Sequence, residues 1–131
     1  MDGDGYPFWS YWDNIRTWWE IRHLPNVMLL HYADLKADLR GNIKKIAEFI
    51  GEELDEETFD KVYEHSTFDW MKANGDKAAP LAGVFWDSFA VFFNKGFNGY
   101  WREELPESES DRYVQIAKEK LGEECAAWLL R

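Results

Sequence analysis

Cysteine is almost absent from this chain of 131 residues. With Cys125 alone no intrachain disulfide can form, and a reducing compartment suits the protein. Histidine is scarce as well. His23, His31 and His65 lie scattered without the spacing of a zinc site, so they read as surface or cap residues and no metal is expected. No apolar run approaches the roughly 20 residues of a membrane span. The opening MDGDGYPFWS carries no leader pattern, and the expectation is a cytoplasmic chain without membrane contact. Positive charge is in short supply: 15 Lys and Arg against 25 Asp and Glu leave a net charge of −10. That excludes general binding to nucleic acid, which needs dispersed cations. The carboxylates gather in GEELDEETFD and REELPESESD, which read as solvated helix starts. No pairing of nucleophile and base is recognisable, so no catalytic residue is assigned.

Aromatic residues are plentiful, at 18% with eight Trp. Such side chains fill cores and interfaces or wall flat ligands, and composition does not choose among these. The length suits one domain with a real core. FWSYWDNIRTWWEIR reads as a helix with Phe8, Trp12, Ile15 and Trp19 on one face, stopped at PNV. VMLLHY, residues 27–32, is apolar without alternation. It reads as a strand buried on both faces, as in a parallel sheet, with a short helix as the alternative. ADLKADLRGNIKKIAEFIG gives a turn and an amphipathic helix with Leu39, Ile43, Ile46, Ala47 and Ile50 inward and Gly51 as its stop. Asp55 is the expected cap of the next helix, with Leu54 stapled to Phe59. STFDWMKANG is a short helix capped by Ser66 or Thr67 and ended at Asn74-Gly75. SESDRYVQIAKEKLG is a longer helix with Ser108 and Asp111 as its capping pair and Tyr113, Ile116, Ala117 and Leu121 inward, and EECAAWLL continues as helix.

One run stands apart. Lys95, Gly96, Gly99 and Arg102 lie within FFNKGFNGYWR, ringed by Phe92, Phe93, Phe97, Tyr100 and Trp101. Glycines that let the backbone approach and a lysine beside them make a loop suited to an anion. An aromatic turn whose glycines only relieve the backbone is the plainer alternative. The sheet also poses a question, because one strand among several helices needs partners for its backbone.

Taken in order, Trp-Trp-Glu, Tyr-x-Asp-Leu-Lys, KIAEFIG, EHSTFDWMK and Lys-Gly-x-x-Gly-x-Trp resemble the C-terminal half of the cytosolic-type sulfotransferases from about residue 8 onward. The ending LGEECAAWLL resembles bacterial members. The resemblance implies an α/β, P-loop kinase-like fold, of which residues 1–131 would be a single partial domain, mostly helical with one parallel-sheet strand. It implies transfer of a sulfuryl group from 3′-phosphoadenosine 5′-phosphosulfate (PAPS) to a hydroxyl or amine of a small acceptor. It further implies that Tyr32, Ser66, Thr67 and Phe68, with Met71, line the adenine pocket, and that Phe93, Asn94, Lys95 and Gly96 hold the 3′-phosphate end. For Tyr32 and Phe68 ordinary core packing is the plain alternative. Asn94 stands where animal members have arginine, which removes a bidentate phosphate grip. The family's phosphosulfate loop and general-base histidine have no counterpart, so the chain is expected to be inactive alone. It would be completed by the N-terminal half or covered as a homo-oligomer. The other reading is a stand-alone, non-catalytic binding or oligomerisation module.

Overall fold

The computed structural model describes residues 4–5, 8–79, 93, 96 and 98–131. Among them the elements are helices α1 (Tyr11–Glu20), α2 (Tyr32–Ala37), α3 (Leu39–Ile50), α4 (Glu56–His65), α5 (Phe68–Ala73), α6 (Gly75–Ala78), α7 (Trp101–Glu104) and α8 (Glu107–Leu129). They fall into two compact units, Met1–Ala33 with Gly99–Arg131, and Asp34–Asn98.

The first unit joins the two ends of the chain. Ser10 opens α1 by accepting the Asp13 N–H at 3.0 Å, and the Asp4 carboxylate accepts from the Ser10 hydroxyl and the Tyr11 N–H. The buried face of α1 presents Trp12 to α8, where Ala117 and Ala126 are 0% exposed. Alanines at these positions let the helices approach closely around the indole. Tyr113, Ile116, Leu121, Leu129 and Leu130 pack around them. The Tyr113 ring lies 5.5 Å from Trp12, and its hydroxyl is 3.1 Å from that of Tyr11. Burial, with the Tyr11 hydroxyl, pushes the Tyr113 phenol up. Gly122, at φ 77° and ψ 165°, breaks the helical path inside α8. That is where the sequence parts its two helical segments. Just beyond it Cys125 is buried, and burial pushes its thiol up against the opposing charge of Arg22.

The second unit rests on caps. Asp38 accepts the Gly41 N–H at 2.8 Å to open α3, and Gly51, left-handed at φ 77°, closes it. Ile43 and Ala47 are buried, as the periodicity predicts, but Ile50, in the last turn before the Gly51 cap, is 61% exposed. Asn42, also buried, donates both amide hydrogens, to the carbonyls of Asp34 (3.0 Å) and Asp38 (2.7 Å), and so ties α2 to α3. Asp55 caps α4 through the Thr58 N–H at 2.7 Å. Arg40 pairs with Asp60 and lies over the rings of Phe59 and Tyr63.

Further expectations are not met among the described residues. Residues 27–31 form no strand, and Tyr32 opens α2 instead of ending a strand. No strand occurs among the described residues, so nothing there supplies the ladder a strand requires. Phe8 lies outside α1 and is 84% exposed, because Ser10 starts the helix after it. Ser108 and Asp111 do not cap α8. That helix begins after Pro106 without a side-chain cap bond, and Glu107 and Glu109 fill its first turn.

The Asp55 cap gives a pH test. The Thr58 N–H holds the Asp55 carboxyl below its ordinary value. Its contribution is therefore fully present above the unfolded value of about 3.9 and is lost as pH falls through the lower folded value. Asp55→Ala should lower the melting temperature at neutral pH, and the gap from wild type should close in acid. Thermal melts of both proteins at neutral and strongly acidic pH check this, and a constant gap would mean that the ionised cap is not what stabilises α4.

Candidate functional site

The residues singled out from the sequence fall on both units. Tyr32, the first residue of α2, is 55% exposed and belongs to the first unit. Ser66, Thr67, Phe68, Met71, Phe93 and Gly96 belong to the second. Asn94 and Lys95 lie outside the described residues.

Within the second unit the chain from α4 to α5 is built by local hydrogen bonding. Ser66 closes α4, its N–H directed to the carbonyls of Val62 and Tyr63. Thr67 opens α5: its hydroxyl donates to the Glu64 carbonyl at 2.7 Å and accepts the Trp70 N–H at 3.2 Å. Of the two caps the sequence allowed, Thr67 therefore serves α5. Trp70 stacks on His65 with ring centroids 4.1 Å apart, and Asn74 donates to the Trp70 carbonyl. This fixes the orientation of α5, which carries Phe68 and the half-buried Met71.

Phe68 is where the two predicted stretches meet. Phe93, buried, contacts it edge to face at 6.3 Å. Gly96 has φ +66°, and a Cβ built there would lie 2.6 Å from Cδ2 of Phe68. Only glycine permits both this left-handed backbone and so close an approach to the ring. Gly96 thus meets the Phe68 ring through a backbone position without a side chain. Sequence reasoning passed over Lys72, whose Nζ stands 5.8 Å from the Phe68 ring. The Phe68–Lys72 spacing of one helical turn was the available signal. Chemically, an aromatic ring, a bare backbone segment and a nearby cation suit a flat ligand bearing an anion.

Gly99 and Arg102 belong to the first unit. Gly99 is left-handed at φ 91°, its carbonyl accepts the Arg102 N–H, and the Arg102 guanidinium lies over Trp101 at 4.5 Å. A cavity of about 680 Å³ opens between α3 and α4, lined among others by Lys44, Glu48, Glu52, Glu53 and Phe59, and none of the described residues singled out from the sequence borders it. Among the described residues no group of three or more His, Cys, Asp or Glu converges as a metal site would, and no helix is long and apolar enough to cross a membrane.

Residues 4–124 match the sulfotransferase domain family. The chain belongs to that family. Sulfotransferase 1C2 of Rattus norvegicus is 34% identical over 122 residues, which cover 91% of this chain and 41% of the relative. Sulfotransferase 2A6 of Rattus norvegicus is 32% identical over 126 residues, 90% of this chain and 42% of the relative. Sulfotransferase 1A1 of the same species is 32% identical over 115 residues, 86% and 39% respectively. The chain thus spans about two fifths of the length of these relatives. Membership fits an α/β, kinase-like fold, to which the described residues of this sulfotransferase-family chain contribute helices. The family as a whole uses PAPS.

Gly96→Ala tests the close approach. The added methyl must displace Phe68 and strain the backbone, with a cost of roughly 1–3 kcal/mol. Denaturant unfolding should show that loss, and the ring resonances of Phe68 should shift. An alanine variant as stable as wild type, with Phe68 unmoved, would mean that the loop does not lie on the ring.

Proposed function

We propose that this chain is the C-terminal part of a PAPS-dependent sulfotransferase and forms the nucleotide-binding end of its site. Tyr32, Ser66, Thr67, Phe68 and Met71 line the adenine pocket, and Phe93, Asn94, Lys95 and Gly96 take the 3′-phosphate end. The observation that carries the reading is the meeting of Phe68 with Phe93 and Gly96, two stretches distant in sequence, around one exposed-backbone position. That cradle fits a nucleotide: the ring offers a face to a base, while backbone N–H groups and Lys95 address phosphate oxygens. Directed donors of this kind suffice, so a net charge of −10 does not oppose the binding of an anion.

In the complete reaction the S–O bond to the phosphate breaks, a new bond forms from sulfur to the acceptor oxygen or nitrogen, and the acceptor's proton passes to a base. Nothing in this chain resembles the family's phosphosulfate loop or its base, so the polypeptide alone does not transfer the group. The acceptor is a small hydroxyl- or amine-bearing molecule. Phe8, Trp9 and Trp18 are exposed aromatic side chains of the first unit, which the N-terminal half or a second copy of the chain would cover in a cytoplasmic enzyme. A stand-alone, non-catalytic module is the second reading, favoured by the closed core around Trp12, Ala117 and Ala126.

Two measurements test the proposal. The purified chain, incubated with PAPS and a phenolic acceptor, should show no sulfated product; turnover that persists after rigorous purification would overturn the assignment of the base and donor loop to sequence elsewhere. In protein competent to bind nucleotide, Lys95→Ala should weaken adenosine 3′,5′-bisphosphate by roughly 1.5–3 kcal/mol, as expected for one charge-assisted contact. Adenosine should be little affected. Equal losses for the two ligands would make Lys95 a support of the loop fold and not a phosphate ligand.

A further inference from the structure

We infer that His31 is a positioning residue for the proposed nucleotide site: it caps the first turn of α2 and ties it to the C-terminal end of α8 in a manner that acid undoes. The inference rests on the reading of Tyr32 as an adenine-pocket residue. His31 immediately precedes α2. Its Nδ1 lies 3.1 Å from the Ala33 nitrogen, and its Nε2 lies 3.2 Å from the Leu129 carbonyl oxygen. A backbone N–H can only donate and a carbonyl can only accept. Both contacts are therefore hydrogen bonds in a single state, the neutral imidazole with its proton on Nε2. The opposite tautomer sets N–H against N–H and a lone pair against the carbonyl. The imidazolium keeps the Leu129 bond but turns an N–H toward the Ala33 N–H, and the cap is lost.

The ring is held in place for this role. Trp128 meets it edge to face at 5.4 Å and in turn packs on Trp19 at 5.5 Å. The ionisable groups on the surrounding elements are Arg131, over Trp128 at 5.7 Å, and the Arg22–Glu124 pair beside Trp19. On its own side of the latch stand Tyr32, Asp34 and Lys36. Tyr32 sits between the cap and the capped N–H, so its backbone is fixed from both sides while its side chain stays exposed. Protonation of His31 frees that turn, and Tyr32 loses its fixed root.

Long-range nitrogen–proton correlation on the full chain at neutral pH should find His31 with its proton on Nε2. A proton on Nδ1, or an imidazolium, overturns the inference. Adenosine 3′,5′-bisphosphate binding is then measured by calorimetry at about pH 8 and about pH 5.5 for wild type, His31→Asn and His31→Leu. Asparagine can accept a cap N–H and does not ionise. His31→Asn should therefore bind as wild type does at the higher pH and retain roughly five-fold more affinity than wild type in acid, whereas His31→Leu should be weak at both. The ratio between variants cancels the nucleotide's own titration. Identical pH dependence in wild type and His31→Asn overturns the inference. Absence of binding in all three proteins overturns the nucleotide reading instead. The His31 tautomer and the acid shift of the Ala33 amide need no ligand and decide the latch by themselves.

Discussion

The packing of α1 against α8 is the constraint on which the first unit depends. Trp12 is large and nearly enclosed, and it is accommodated because Ala117 and Ala126 leave no side-chain bulk in its way. The consequence reaches beyond the core. With α8 docked along α1, its last turn brings Trp128 onto Trp19 and the Leu129 carbonyl to His31. Gly122 has a part in this, since its non-helical dihedrals redirect the second half of α8. A residue with a Cβ at φ 77° would resist that bend. The N-terminus of α2 is thus held from the far end of the chain.

The second unit is organised differently. Its described helices are short, and its described buried side chains are Asn42, Ile43, Ala47 and Phe93. Short helices gain little from propensity alone, so their ends must be satisfied by side chains. Asp38, Asp55 and Thr67 each accept an orphan N–H, and the Asn42 amide adds side-chain bonds to the Asp34 and Asp38 carbonyls, which also accept from the backbone. The cap at Thr67 has functional weight under the proposed reading. It fixes where α5 begins, and hence where Phe68 stands relative to the Gly96 loop.

The features legible in the sequence were those governed by neighbours. Asp55, Thr67 and Gly51 act as expected because a cap depends on a few adjacent residues. The inward row of Tyr113, Ile116, Ala117 and Leu121 follows from a period that any helix imposes. The failures are non-local or competitive. Residues 27–32 have strand composition, but a strand is completed only by a partner, and composition carries no information about whether one is present. Phe8 matched the helical period, yet Ser10 supplied the better start. Ser108 lost to Pro106, whose fixed φ opens the helix ahead of it. The role of His31 depends on a carbonyl nearly a hundred residues away. At the site, Gly96 was legible as a special backbone position and Phe68 was named through the resemblance, but their contact was not legible, because only the fold makes them adjacent.

Charge makes a final point about how such a chain could hold an anion at all. In the second unit Glu48, Glu52, Glu53 and Glu56 gather around the groove between α3 and α4, whose lining includes none of the described residues of the proposed site. Repulsion between exposed charges decays over about a Debye length, roughly 8 Å at physiological ionic strength. What an anion meets at short range is the local set of donors, and under the proposed reading these are Lys95 and the glycine backbone beside an aromatic ring. Net charge therefore governs approach and solubility, while binding is decided by where a few N–H groups point. Under the proposed reading an acidic chain with a nucleotide loop is no contradiction, and Gly96 is the residue whose missing side chain permits the contact with Phe68.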